Sequence, residues 1–211
     1  MTTAVFFDLD LTLLQYTDDF ETIFERALPN APDGAYEHYV EGLLDAFDQL
    51  STTPYRAGFE GVVERFDVDA EPAELVARYH EAELAATTVP DTAHEAVTRV
   101  AAARPTGILT NGTLELQHAK LEAHGLDEVA DAVVVSNDPD VAARKPDTAI
   151  FATAEESLPA ANYVYVGDTY DEDIVGARNA GWEAFHVGSD GPDDAPERVE
   201  SVEEAAEQIL D

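Results

Sequence analysis

The nine residues FFDLDLTLL, at positions 6–14, decide the fold that this sequence predicts. The apolar run that leads into them predicts a short buried strand over 4–9. Asp8 and Asp10 stand at the end of that strand, while the first basic residue of the chain is Arg26. Two carboxylates at the tip of a buried strand need a partner that the neighbouring sequence does not supply. We therefore expect their partners to be groups from outside the protein.

Similar apolar runs recur along the second half of the chain and alternate with helical patterns. Further strands are predicted over 106–110, 132–136, 163–167 and 184–187, and helices over 91–103, 113–124, 147–157, 171–180 and 199–210. Alternation of this kind is typical of a parallel sheet with helices on both faces. We predict an α/β protein with a Rossmann-like parallel sheet core.

Residues 15–88 interrupt this alternation, because they contain no convincing strand pattern. They predict amphipathic helices over about 19–28, 35–50, 58–66 and 72–86, with turns over 29–34 and 51–54. The simplest interpretation is an α-helical cap domain, residues 15–88, inserted after the first strand of a core domain formed by 1–14 and 89–211.

The composition is strongly acidic, with 45 Asp and Glu, 11 Lys and Arg and a formal net charge of −34. The acids are spread among periodic apolar residues, which favours a folded halophilic protein whose self-repulsion is screened by salt. An acidic interaction module, such as a nucleic-acid mimic, is the competing hypothesis. No basic patch exists to displace counterions, so we expect no nucleic-acid partner and no anionic membrane partner.

Cysteine is absent, which excludes disulfides and structural zinc held by sulfur. The N-terminus has no basic segment, and its apolar run is broken by Asp8 and Asp10, so a signal peptide is not expected. No apolar stretch approaches 18 residues, and we expect no membrane span and a cytoplasmic location.

The informative polar residues follow the predicted strands at their carboxyl ends, where open parallel sheets bind ligands. Several carboxylates that converge on one edge repel one another, and a hard cation such as Mg²⁺ relieves that repulsion through oxygen ligands. With the cation bound, one aspartate can act as a nucleophile and a second as an acid and base. The polar residues predicted to lie at this edge of the sheet are Asp8, Asp10, Thr110, Asn111, Lys145, Asp168, Asp171 and Asp173.

Phosphoryl oxygens are the ligands that the remaining polar groups suit. The Thr110 hydroxyl and the backbone N–H groups of Asn111 and Gly112 could hold them, and Lys145 would supply fixed positive charge. The chain has only two lysines, Lys120 and Lys145. A sequence that retains so little lysine yet keeps one at this edge favours a functional role for Lys145.

These residues resemble the four motifs of the haloacid dehalogenase-like (HAD) hydrolase superfamily, in its phosphatase branch, over nearly the whole chain. The motifs are Asp8-Leu-Asp-Leu-Thr12, Ile108-Leu-Thr-Asn-Gly112, Arg144-Lys-Pro-Asp147 and Gly167-Asp-Thr-Tyr-Asp-Glu-Asp173. The resemblance implies Asp8 as nucleophile, Asp10 as acid and base, and Thr110 and Lys145 as catalytic and substrate-binding residues. It also implies Mg²⁺ held by the Asp8 carboxylate, the Asp10 carbonyl and Asp168, with Asp173 supporting the site.

One residue departs from the family pattern. Leu11 occupies a position at which the family usually has glycine, which eases the turn after the strand. Leu11 predicts either a negative φ or some backbone strain.

The resemblance narrows the reaction without naming the substrate. The dehalogenase branch lacks the second aspartate, and the phosphonate-cleaving branch needs a cap lysine, which residues 15–88 do not contain. We expect a Mg²⁺-dependent phosphomonoester hydrolase that acts on a small phosphorylated metabolite through an aspartyl phosphate, as a monomer or weak dimer, with 15–88 as its only lid. The alternatives are a phosphomutase and a non-catalytic binding protein of the same fold.

Overall fold

The computed structural model describes residues 2–192, 195 and 198–211. Its contacts divide the chain into two compact units, Met1–Gln15 with Thr88–Asp211 and Tyr16–Thr87. Each of these boundaries lies one residue from the boundary expected from the sequence.

The first unit is built on a parallel sheet with the strand order β5-β4-β1-β6-β7. This confirms the predicted α/β fold with a parallel Rossmann-like sheet. A separate two-stranded sheet pairs β2 with β3. The strands are β1 Thr3–Phe7, β2 Gln15–Tyr16, β3 Thr87–Thr88, β4 Thr106–Thr110, β5 Ala132–Val135, β6 Asn162–Gly167 and β7 Glu183–His186.

Helices of the first unit cover both faces of its sheet. Successive side chains of β1 alternate between two buried clusters, with Val5 and Phe7 in one and Ala4 and Phe6 in the other. A strand buried on both faces has a continuous apolar sequence, which is the pattern that predicted β1. The helices, in chain order after the four of the second unit, are α5 Asp91–Ala101, α6 Leu114–Ala123, α7 Thr148–Ser157, α8 Gly176–Asn179 and α9 Val202–Leu210.

The second unit consists of four helices around an aromatic cluster. The Phe24, Tyr39 and Phe59 rings pack together, with centroids 5.1 Å apart for Phe24–Tyr39 and 4.5 Å apart for Tyr39–Phe59. The cluster gives this unit its own buried core. The helices are α1 Phe20–Ala27, α2 Ala35–Asp48, α3 Pro54–Phe66 and α4 Pro72–Ala85.

Three local predictions were wrong. Helix α3 begins at Pro54 rather than at Gly58, because proline is suited to the first helical turn, where its missing N–H costs nothing. Residues 15–88 do contain strand, but β2 and β3 are two residues each and too short to produce a periodic pattern. The predicted helix over 171–180 is a π-helical turn, Tyr170–Val175, that continues into α8.

Among the described residues, no helix combines the length and the apolar composition that a membrane crossing requires.

Candidate active site

The predicted site residues meet at one edge of the parallel sheet. Asp8 directly follows β1, Thr110 ends β4, and Asp168 directly follows β6. β1 pairs with β4 on one side and with β6 on the other, and Phe7 is in register with Ile108 and Val166. Parallel pairing therefore brings the carboxyl ends of three strands, and the polar residues that follow them, to one place.

Lys145 is the centre of the buried hydrogen-bond network at this edge. Its ammonium donates to Asp8 Oδ1 at 2.7 Å, to Asp173 Oδ1 at 2.6 Å and to Tyr165 Oη at 2.7 Å. A lysine ammonium has three hydrogens, so these bonds use all of them. Burial lowers the pKa of Lys145, but the Asp173 and Asp8 carboxylates outweigh burial and raise it. Lys145 is thus a fixed positive charge that orients the predicted nucleophile.

Asp173 is held from two sides, as its predicted supporting role requires. Its Oδ2 accepts the backbone N–H of Thr169 at 2.9 Å, while Oδ1 accepts from Lys145. A Cβ added at Gly167 would collide with the Asp173 carboxylate. Glycine at the end of β6 therefore leaves the space in which Asp173 reaches Lys145.

Asp8, Asp168 and Asp173 form an acidic cluster that is suited to a cation. One carboxylate oxygen from each lies within 4.8 Å of the others. Burial raises the pKa of Asp8 well above its usual value, and the charges of Asp173 and Asp168 add to this effect, while Lys145 opposes it. Burial and the Asp173 charge likewise raise the pKa of Asp168. Three carboxylates facing one ammonium leave two negative charges uncompensated, which a divalent oxygen-binding cation fits.

The Asp10 side chain lies in a different set of contacts. Lys120 Nζ approaches Asp10 Oδ1 at 2.8 Å, and Gln117 Nε2 donates to Asp10 Oδ2 at 2.7 Å. The Asp10 carboxylate does not belong to the acidic cluster of the described residues. The expectation that both aspartates lack protein partners was wrong, because Lys145 and Lys120 reach Asp8 and Asp10 from distant parts of the chain.

Thr110, Asn111 and Gly112 form the turn that follows β4. Thr110 is buried, and its Oγ1 accepts from Gln117 Nε2 at 2.8 Å. The Asn111 side chain is bound to the backbone of Lys145, since Oδ1 accepts from Lys145 N at 2.9 Å and Nδ2 donates to Lys145 O at 3.2 Å. The Gly112 N–H donates to Ser136 Oγ at 3.0 Å. Of the two backbone N–H groups predicted to hold phosphoryl oxygens, the Gly112 N–H therefore has a protein partner here.

Leu11 adopts a left-handed conformation with φ +62° and is 47% exposed. Of the two possibilities expected for this residue, negative φ or strain, the structure has the second. The cause is the tight turn after β1, in which Leu13 N and Leu14 N both donate to Leu9 O, at 3.0 and 2.9 Å. A bulky side chain in this region costs about 1–2 kcal/mol.

Three residues of the site were missed at the sequence level: Gln117, Lys120 and Tyr165. Lys120 could have been found, because the scarcity of lysine that singled out Lys145 applies to it equally. Gln117 and Tyr165 carry no comparable signal, since an amphipathic helix and a buried strand each accommodate such a residue without special function.

Comparison with known proteins identifies the family. A model of the haloacid dehalogenase-like hydrolase family matches residues 2–181. Glyceraldehyde 3-phosphate phosphatase of Methanothermobacter thermautotrophicus is 29% identical over 206 residues, which cover 90% of this chain and 87% of that protein. Pyrimidine 5'-nucleotidase YjjG of Escherichia coli is 41% identical over 78 residues, but the match covers only 36% of this chain and 34% of that protein.

Solved structures agree on the fold. The magnesium-bound HAD hydrolase YfnB of Bacillus subtilis matches with a TM-score of 0.75 at 22% identity, over 100% of this chain and 99% of that one. A 2-haloacid dehalogenase of Pseudomonas syringae matches with a TM-score of 0.72 at 21% identity, over 100% and 99%. Because a HAD hydrolase and a 2-haloacid dehalogenase match this chain with similar TM-scores, the fold does not select the reaction.

Proposed function

Since the chain belongs to the haloacid dehalogenase-like hydrolase family, we propose that it is a Mg²⁺-dependent phosphomonoester hydrolase acting through an aspartyl phosphate. The observation that carries this proposal is Asp10, a second carboxylate two residues beyond Asp8. Its side chain is 27% exposed, so a substrate can reach it. An alkoxide that leaves phosphorus needs a proton, whereas a halide leaves without one. A dehalogenase would have no use for this carboxylate.

The first half of the reaction transfers the phosphoryl group to Asp8. Lys145 donates to Asp8 Oδ1, which leaves Oδ2 to attack phosphorus. The new bond joins Oδ2 to phosphorus as the bond from phosphorus to the leaving oxygen breaks, and Asp10 gives that oxygen a proton. The Thr110 hydroxyl would hold a phosphoryl oxygen.

The second half returns Asp8 to its starting state. Asp10, now ionised, takes a proton from water, and the water oxygen bonds to phosphorus while the bond to Asp8 Oδ2 breaks. Inorganic phosphate leaves, and Asp10 again holds the proton. Because one carboxylate serves as acid and then as base, its placement matters in both halves.

The Asp8 and Asp168 carboxylates and the Asp10 carbonyl would hold the Mg²⁺, with Asp173 in support. The cation would neutralise the charge of the acidic cluster and of the phosphoryl group. The raised pKa values of Asp8 and Asp168 support this assignment, since burial, and after it the charge of Asp173, make the ionised carboxylates costly in the absence of a cation.

We propose a small phosphorylated metabolite as substrate. The similarity to a glyceraldehyde 3-phosphate phosphatase and to a pyrimidine 5'-nucleotidase supports this class of substrate but does not favour either type. We further propose a cytoplasmic monomer or weak dimer, without nucleic-acid or membrane partners. A phosphomutase would use the same residues and is the alternative to be tested. A non-catalytic binding protein is disfavoured by the intact Asp8, Asp10 and Lys145.

Phosphate release from para-nitrophenyl phosphate in molar KCl tests the proposal. Wild type should release phosphate only with Mg²⁺, and Asp8→Asn should fall to the background rate. Asp127→Asn, which removes an exposed aspartate outside the site, is the control and should retain full activity. Folded wild type that releases no phosphate would overturn the hydrolase, and phosphosugar isomerisation by that protein would establish the mutase instead.

A further inference from the structure

Two side chains on one face of α6 hold both oxygens of Asp10. Gln117 and Lys120 are three residues apart, a spacing that places side chains on the same side of a helix. Gln117 Nε2 donates to Oδ2 at 2.7 Å, and Lys120 Nζ to Oδ1 at 2.8 Å. A carboxylate bound at both oxygens can rotate about neither of its side-chain bonds without losing a contact.

Both residues are almost completely buried, at 1% exposure each. A lysine is rarely buried without a paired charge, and here the Asp10 carboxylate supplies that charge. Gln117 is also tightly enclosed, because a Cβ added at Gly112 would lie 2.8 Å from its Cγ and Cδ atoms. Burial restricts the rotamers of these side chains, so they form a rigid support for the more exposed Asp10.

The orientation of the Gln117 amide follows from its partners. In the half of the reaction in which Asp10 is ionised, its carboxylate only accepts hydrogen bonds, so the nitrogen of the Gln117 amide must face Asp10. The second hydrogen of the same nitrogen goes to Thr110 Oγ1, at 2.8 Å. Because the Thr110 oxygen accepts that bond, its own hydrogen is directed elsewhere, and it donates to Asn111 O at 3.4 Å. A hydrogen bond of that length is weak, so a phosphoryl oxygen can replace the carbonyl as its acceptor.

We propose that Gln117 and Lys120 are positioning residues, which hold Asp10 in its acid and base orientation and turn the Thr110 hydroxyl towards the phosphoryl group. This inference rests on the proposed function. Each carboxylate oxygen has more than one acceptor direction, so the two bonds to α6 do not by themselves prevent Asp10 from carrying the proton that the leaving group needs. Loss of either support allows Asp10 to rotate away from the leaving oxygen.

The dependence of the rate on the leaving group distinguishes a positioning role from a purely structural one. Phenolate leaves phosphorus less readily than para-nitrophenolate and therefore depends more on a proton from Asp10. The two phenyl esters are nearly the same size, so binding differs little between them. The parameter kcat/KM covers the steps up to departure of the leaving group, which makes it the quantity to compare.

We expect Lys120→Met and Gln117→Leu to lower kcat/KM by about 100-fold with phenyl phosphate and less than about tenfold with para-nitrophenyl phosphate. Asp10→Asn should show a larger difference between the two esters in the loss of kcat/KM. The matched control is Leu121→Met, at a buried core position on the same helix, which should change neither value. Melting temperatures show whether each variant is folded, and Gln117→Leu decides the question if Lys120→Met does not fold.

Suppose that Lys120→Met and Gln117→Leu lower kcat/KM equally for both esters, while Asp10→Asn lowers it more for phenyl phosphate. That result would overturn the positioning role and leave the proposed hydrolase function intact. If Asp10→Asn lowers kcat/KM equally for both esters, Asp10 is not the general acid, and this inference fails. Wild type without any phosphate release would overturn the proposed function itself.

Discussion

The ammonium of Lys145 donates to the phenolic oxygen of Tyr165 at 2.7 Å, inside the sheet and away from solvent. The same phenol donates to Leu109 O at 2.6 Å. Tyr165 thus connects the predicted catalytic lysine to the backbone of β4. Burial raises the pKa of the Tyr165 phenol well above its usual value, and the nearby carboxylates add to this, so the phenol stays neutral.

Tyr165→Phe should reduce stability and kcat together. The change leaves one Lys145 hydrogen and one backbone carbonyl without a partner, at a cost of about 1–3 kcal/mol. The control is Tyr163→Phe on the same strand, whose hydroxyl accepts from Ala160 N and does not contact Lys145. Urea unfolding and steady-state kinetics measure the two effects, and an equal fall in kcat for both variants would contradict a role for Tyr165.

Gly167→Ala should displace Asp173 and disturb Lys145. The added methyl group would occupy the position of the Asp173 carboxylate, and overpacking of this kind costs about 1–3 kcal/mol. Gly181→Ala is a useful comparison, because Gly181 has φ +86° but no neighbour that a Cβ would meet. Both variants should lose stability, but only Gly167→Ala should lose phosphatase activity in molar KCl. Full activity of folded Gly167→Ala would show that Asp173 is dispensable.

Leu11→Gly should be more stable than Leu11→Ala by about 1 kcal/mol, since only glycine removes the penalty of positive φ. Both changes delete the same exposed side chain, so their difference isolates the backbone. Denaturant unfolding of the two variants measures it. A more stable alanine variant would show that Leu11 has negative φ in solution.

The gain in Tm on adding Mg²⁺ should increase with pH. The pKa values of Asp8 and Asp168 are raised in the metal-free fold, so these groups hold protons that the unfolded chain has already lost. Their contribution to stability is therefore complete below the ordinary aspartate pKa and disappears as pH rises through the raised values. Mg²⁺ competes with the same protons and should restore that loss.

Thermal unfolding with and without Mg²⁺ at several pH values, at constant ionic strength, measures this effect. Asp168→Asn is the control and should respond weakly to Mg²⁺ at every pH. A Mg²⁺ gain that is the same for wild type at all pH values would contradict metal binding by Asp8 and Asp168.

Salt should stabilise the protein and accelerate its reaction. With a net charge of −34, self-repulsion and repulsion of an anionic substrate are both screened when the Debye length falls from about 10 Å at 0.1 M to about 3 Å at 1 M. We expect Tm to rise by at least about 5 °C in molar KCl and kcat/KM to rise with it. Sucrose carries no charge and cannot screen electrostatic repulsion, so it is the control for effects of an added solute other than screening. Unchanged stability and full activity in dilute buffer would refute the halophilic interpretation.

Much of the fold was determined by the sequence alone, because hydrophobic periodicity and helix termini are local properties. Continuous apolar runs predicted β1, β4, β5 and β6, and the parallel alternation predicted which ends of the strands meet. The candidate residues Asp8, Thr110, Lys145 and Asp168 followed from that rule. The π-helical turn Tyr170–Val175 did not, since a helix pattern does not reveal a local change of winding.

Only the tertiary structure decided how the charges of the site are paired. Lys145 meets Asp8 across 137 positions of sequence, Lys120 meets Asp10 across 110, and Gln117 meets Asp10 across 107. No local pattern records such pairs, because they exist only where separate strands and helices pack. The sign of φ at Leu11 was open for the same reason, since it depends on how the turn closes onto Leu9. Sequence determined which groups are present, and packing determined which of them touch.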